Sequence, residues 1–172
     1  MKIERWMNQP VLTTEADIPV VLAYRKMREN EIRRLPVLDD DGRLVGILSE
    51  RDALTVLMPH EIDAAPVPPE AMNPTLVRDA MTRTVFVVSP EADVVEAVRI
   101  MHDRKVSGLP VVTNGRCVGM ITVQDLLEVL LAALDRRLNE INEEILEGTM
   151  GFSPAAPKTS PRKRRKVSTG AG

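Results

Sequence analysis

Gly46-Ile47-Leu48-Ser49-Glu50-Arg51-Asp52 returns 73 residues later as Gly119-Met120-Ile121-Thr122-Val123-Gln124-Asp125. Each stretch reads as glycine, two apolar residues, a hydroxyl residue, and an aspartate three positions on. An apolar run closed by Ser/Thr-x-x-acid marks a strand that passes into a capped helix. The likeness extends upstream, where residues 3–38 lie on 77–112 at a shift of 74 without a gap. Met7 falls on Met81, Val11 on Val85, and Val20-Val21 on Val94-Val95. Ala23, Arg25 and Met27 fall on Ala97, Arg99 and Met101, and Leu35-Pro36-Val37 falls on Leu109-Pro110-Val111. The single lost residue sits at the turn, Asp39-Asp40-Asp41-Gly42 against Thr113-Asn114-Gly115, where a duplicated fold tolerates a gap. A copy of about 55 residues is marginal in buried area, and two copies are too few for a solenoid. The sequence therefore predicts two copies packed on each other.

Within each copy the signals follow one order. A β-rich run comes first, Val11-Leu12-Thr13-Thr14 and Val85-Phe86-Val87-Val88. An amphipathic helix follows, over 19–31 and 93–104, started by Asp17 or Pro19 and by Asp93. Two strands around a tight turn come next, 35–39 with 43–48 and 109–113 with 116–121, and Gly42 and Gly115 supply the positive φ of the turns. A second helix begins near Glu50 and near Val123. The expected fold class is α/β (α+β): two β-α-β-β-α motifs packed about a pseudo-twofold axis.

The boundaries follow from composition. Motif 1 spans 1–58 and motif 2 spans 77–131, joined by a linker over 59–76 that holds Pro59, Pro66, Pro68, Pro69 and Pro74. The last helix then continues over 132–147. Leu127, Leu131, Leu134, Leu138, Ile141 and Ile145 form a heptad stripe over about 25 residues, roughly 37 Å of helix. Such a stripe packs back on its own domain or serves self-association, and its length favours a homodimer. Residues 148–172 lack a core pattern and read as a disordered basic tail.

Composition excludes several classes. Only Trp6, Tyr24, Phe86 and Phe152 are aromatic, which counts against base-stacking binders of single-stranded nucleic acid. Six of the 23 basic residues lie beyond Glu147, the last acidic one, so residues 1–147 carry 17 basic against 25 acidic side chains. A charge of −8 there disfavours a broad grip on polyanions. Contact with nucleic acid is left to the tail, where Pro161-Arg162-Lys163-Arg164-Arg165-Lys166-Val167 looks like a nuclear-localisation signal or a general polyanion contact. No apolar run reaches the roughly 20 residues of a bilayer span, and the N-terminus is unlike a secretory signal. A cytoplasmic protein is expected.

These residues resemble a known family, the CBS domain pair or Bateman module, over roughly residues 3–131. Three marks occur in the same order: Val77-Arg78-Asp79-Ala80-Met81-Thr82 at the start of the second copy, Leu-Pro-Val in both copies, and the Gly-to-Asp stretch in both copies. The resemblance implies a stand-alone regulatory module with two symmetric clefts between its motifs. Related modules bind AMP, ADP, ATP or S-adenosylmethionine in such clefts and act on an attached or partner protein.

In that setting Asp52 and Asp125 are ribose contacts, while Ser49 and Thr122 with the helix starts face phosphate. The plainer reading, a capping box in each copy, holds alongside it. Arg33-Arg34 looks like the basic pair that meets phosphate in kinase-regulating members, since guanidinium forks are planar and permanently charged. A solvated turn is the alternative. Ser107-Gly108, at the same place in copy two, offers no charge and lets a ligand approach the backbone. Two unequal sites are expected. Leu12-Thr13 and Val87-Val88 either line an adenine slot or fill the core.

Catalytic and metal chemistry lack support. There is no phosphate-cradling Gly-Lys-Ser/Thr loop and no dinucleotide fingerprint. Asp39-Asp40-Asp41-Gly42 fails as a calcium loop, because Leu48 falls at the bidentate acid position. His60 and His102 lack a nucleophile partner, and Cys117 reads as a small filler in a strand. The expected function is regulatory sensing of an adenine nucleotide, with no cofactor, no metal and no enzymatic activity. The alternatives are a dimeric scaffold with empty clefts and a nucleic-acid-associated protein acting through its tail.

Overall fold

The computed structural model describes residues 1–57 and 75–148, with side chains described through Glu143. The Pro-rich linker up to Pro74, His60, the side chain of Ile145 and the basic tail beyond Gly148 lie outside the described residues. Copy one contains β1 (Thr14–Glu15), α1 (Val20–Glu29), β2 (Arg34–Leu38), β3 (Leu44–Ser49) and α2 (Glu50–Val56). Copy two contains α3 (Val77–Ala80), α4 (Val94–Arg104), β4 (Gly108–Thr113), β5 (Arg116–Thr122) and α5 (Val123–Gly148). Internal contacts divide the chain into residues 1–132, which hold both copies, and residues 133–172.

Each copy is built around an antiparallel hairpin, β2–β3 and β4–β5. Gly42 at φ 75 and Gly115 at φ 76 turn them, as the turns require. Both hairpins break register at the same place, between Val37 and Leu38 and between Val111 and Val112. Along α1 the buried residues Val20, Val21, Ala23, Tyr24 and Met27 follow helical spacing, as Val94, Ala97 and Met101 do along α4. Asp93 caps α4 by accepting from the Val95 N–H at 2.9 Å, whereas Pro19 starts α1 without a side-chain cap. The N-terminal ammonium donates to Asp93 at 2.7 Å. That bond first, and then the Val95 N–H, hold its carboxyl below the usual aspartate range.

The first strand of each copy differs from expectation. Copy one forms only β1, parallel to β2, and copy two forms a single parallel bridge from Val88 to Val111. The residues just before each run are committed elsewhere. Asn8 pairs with Met120 on β5, and Thr82 pairs with Ile47 on β3. Each run therefore crosses from one copy to the other and reaches its own sheet only at its end.

This crossing exchanges the lead-in segments between the copies. Ile3 is buried among Val88, Val94, Ala97 and Ile121 of copy two, and Val77 and Met81 complete the core of copy one. Backbone bonds follow the same exchange, with the Ile3 N–H on Ala92 O at 3.1 Å and the Val77 N–H on Ile18 O at 2.9 Å. Arg78 also pairs with Asp17. Gly46 and Gly119 permit the close approach. A Cβ at Gly46 would stand 2.4 Å from Met81 Sδ, and one at Gly119 would stand 2.7 Å from Met7 Sδ. Neither core is complete without residues from the other copy, which accords with the marginal size of a single copy.

Helix α5 runs for 26 residues. Leu127, Leu131, Leu134, Leu138 and Ile141 are all exposed, between 36% and 61%. Among the described residues no helix is long and apolar enough to cross a membrane.

Candidate functional site

The start of β2, the end of β3 and the start of α2 face the lead-in run of copy two. Between them lies a cleft of about 550 Å³, within the roughly 300–1,000 Å³ usual for small-molecule sites. Copy one contributes Arg33, Arg34, Ile47, Ser49, Glu50, Arg51 and Asp52. Copy two contributes Thr82, Thr84, Val85 and Phe86 from its lead-in run, and Lys105 to Leu109 from the approach to β4. Arg33, Arg34, Arg51 and Lys105 outnumber Glu50 and Asp52, so the cleft is cationic although residues 1–147 are acidic.

Its polar groups are set by the α2 start. Ser49 Oγ accepts from the Asp52 N–H at 3.1 Å, while Asp52 Oδ2 accepts from the Ser49 N–H at 3.1 Å and from its Oγ at 2.6 Å. The capping box read from the sequence is therefore present, and it fixes the carboxylate at the cleft wall. Asp52 Oδ1 accepts no hydrogen bond among the described residues. Arg34 is half-buried and donates to Ser107 Oγ of copy two. Burial and then the neighbouring Arg33 push its pKa down, and Asp52 opposes the shift. Such an arrangement is suited to an anion, which would relieve the repulsion between the two guanidiniums. Phe86 offers an apolar face, and the Arg104 guanidinium lies 5.0 Å from its ring centroid.

Of the residues singled out in the sequence, Asp52, Ser49, Arg33, Arg34, Ser107 and Gly108 meet in this cleft. Asp125 and Thr122 lie elsewhere, at the matching position of copy two. There Asp125 Oδ2 accepts from the Thr122 N–H at 2.7 Å and from its Oγ1 at 2.8 Å. Leu12 packs on the core of copy one. Thr13 lines a separate depression of about 300 Å³, its carbonyl accepting from Lys26 Nζ at 2.7 Å. Val88 is buried in the core of copy two, and Val87 is exposed. Arg51 was not singled out in the sequence although it follows Ser49-Glu50 directly, and neither were Thr82, Thr84, Val85, Phe86 and Lys105. The repeat held the signal for Lys105, which is the counterpart of Glu31 just before Arg33-Arg34. Thr82, Thr84, Val85 and Phe86 depend on the exchange of lead-ins, which local patterning does not encode. Among the described residues no group of three or more His, Cys, Asp or Glu side chains is placed to hold a metal ion.

Comparison with known proteins agrees with this architecture. The family profile described as CBS domain matches residues 3–59 and again 77–132. The uncharacterized protein MJ1426 of Methanocaldococcus jannaschii is 31% identical over 155 residues, covering 76% of this chain and 92% of that protein. Among solved structures, the CBS domain pair of protein MJ0100, in complex with 5'-methylthioadenosine and S-adenosylmethionine, has a TM-score of 0.66 at 24% identity. It covers 77% of this chain and 98% of its own. CBSX2 in complex with AMP has a TM-score of 0.63 at 25% identity, covering 77% and 97%.

Proposed function

This chain belongs to the CBS domain family, and from that premise we propose that it is a regulatory sensor that binds an adenine nucleotide in the cleft at Asp52. The observation that carries the reading is the convergence of four cations and one under-used carboxylate oxygen on a single cleft walled by both copies. The ribose hydroxyls donate to Asp52 Oδ1, whose orientation Ser49 fixes. The phosphates meet Arg33 and Arg34, with Arg51 and Lys105 at hand. Val85 and Phe86 supply apolar surface for the base. The AMP complex of the similar CBSX2 supports a nucleotide as ligand. The excess of positive charge favours ADP or ATP over AMP, and any of them over the sulfonium of S-adenosylmethionine.

Regulation follows from where the walls come from. Arg34 of copy one is bonded to Ser107 of copy two, so a phosphate that claims Arg34 alters a contact between the copies. A ligand that binds one mutual arrangement better shifts the population toward it and biases an effector protein. The exposed stripe Leu127, Leu131, Leu134, Leu138 and Ile141 supports self-association of α5 as a homodimer.

The test is the melting temperature of the full chain titrated with AMP, ADP, ATP, S-adenosylmethionine and NAD. Ligand at 100 times its dissociation constant stabilises by about 2.7 kcal/mol, a rise of roughly 5–10 °C at this length. The expected order is ATP and ADP first, AMP next, S-adenosylmethionine last. Five flat curves would leave the fold as a scaffold with empty clefts.

A further inference from the structure

Asp52 and Asp125 hold the same position in the two copies, and each commits Oδ2 to the hydroxyl residue three positions before it. They part at Oδ1. Asp125 Oδ1 accepts from the Asn8 side-chain amide at 2.8 Å, and Asp125 is only 8% exposed. Asn8 is pinned there by its backbone, which donates to Met120 O at 2.8 Å and accepts from the Met120 N–H at 3.1 Å. The same pairing holds Thr82 against Ile47 on the other side, at 2.9 and 3.0 Å. Threonine is shorter, and no hydrogen bond joins Thr82 to Asp52 among the described residues.

The charges divide in the same sense. By the repeat, Arg33, Arg34, Arg51 and Lys105 correspond to Ser107, Gly108, Gln124 and Glu31. Glu31 and Lys105 both have a φ of 54, which fixes that part of the alignment in the backbone. The Asp125 side thus loses four cations and keeps the same number of acids, Glu31 being gained where Glu50 gives way to Val123.

We infer that Asn8 is an internal ligand of Asp125: its amide stands where a ligand hydroxyl would donate, and it closes the second cleft so that each chain takes one nucleotide. The inference rests on the nucleotide reading above. Asn8 sets site number, and Asp125 anchors the lead-in of copy one. With threonine at position 8, the residue found at the matching place in copy two, Asp125 Oδ1 is released. The freed oxygen is then open to a hydroxyl of a neutral nucleoside, and its surroundings still lack the cations for phosphate.

Titration calorimetry of the full chain with ATP and with adenosine counts the sites. Wild type is expected to bind one equivalent of either, and Asn8→Thr one ATP but two adenosines. Two equivalents of either ligand on wild type would overturn the inference, and so would an adenosine count on Asn8→Thr no higher than on wild type. The wild-type count stands without any variant, and Asn8→Ser repeats the second arm with a side chain shorter still. If wild type binds neither ligand while Asn8→Thr gains one adenosine, the nucleotide reading falls and the role of Asn8 stands. If neither protein binds either ligand, both fall.

Discussion

Replacing Arg34 with alanine separates phosphate recognition from recognition of the rest of a nucleotide. Arg34 is half-buried, its guanidinium already stripped of part of its water and placed by the bond to Ser107. Arg33 is exposed at the same cleft. A hydrogen bond to a charged partner is worth about 1.5–3 kcal/mol when desolvated, whereas exposed ion pairs contribute roughly 0.2–1 kcal/mol. Arg34→Ala therefore weakens ATP binding about 10- to 150-fold, and Arg33→Ala by about fivefold at most. Adenosine has no phosphate, so its affinity changes little in either variant. Calorimetry of both ligands at one fixed ionic strength reads the two ratios. An equal loss of ATP and adenosine in Arg34→Ala, or a larger loss in Arg33→Ala, would refute the placement of phosphate.

Three further outcomes follow from the packing. Thr14 is 5% exposed and its Oγ1 has no partner among the described residues, while copy two carries Val88 at the same place. Thr14→Val is expected to stabilise by about 1 kcal/mol, seen as a melting temperature higher by roughly 2–4 °C. Gly46→Ala drives a Cβ to 2.4 Å from Met81 Sδ and 3.2 Å from Thr82 O. It should cost about 1–3 kcal/mol in urea unfolding, more than the same change at Gly42, where nothing lies within 4 Å but φ is positive. Wild type is expected to sediment as a dimer through α5 and the double variant Leu131→Lys/Leu138→Lys as a monomer, with the fold intact by circular dichroism.

The elements with strong local chemistry were legible in the sequence. The Ser49 capping box, the glycine turns at 42 and 115, and the helical spacing of Val20 to Met27 each follow from a few neighbouring residues. The duplication also exposed the inequality between Arg33-Arg34 and Ser107-Gly108. What local reasoning could not supply was the exchange of lead-ins. Val11–Thr14 and Val85–Val88 have strand composition, yet the chain just before each run, at Asn8 and Thr82, is claimed by the opposite copy, and this leaves two residues of β1 and one bridge at Val88. The same exchange puts Val85 and Phe86 at the Asp52 cleft, next to residues about thirty positions away along the chain, and lets Asn8 reach Asp125. Those contacts depend on the sum of two folded copies and have no signature in either alone.

A crystal structure of the full chain grown with ATP would show the nucleotide in its cleft. One nucleotide per chain is expected, its ribose on Asp52 and its phosphates against Arg33 and Arg34, with the bond from Asn8 to Asp125 unbroken. ATP seated on Asp125 with Asn8 displaced, or bound with Asp52 and the two arginines untouched, would overturn both the site and its stoichiometry.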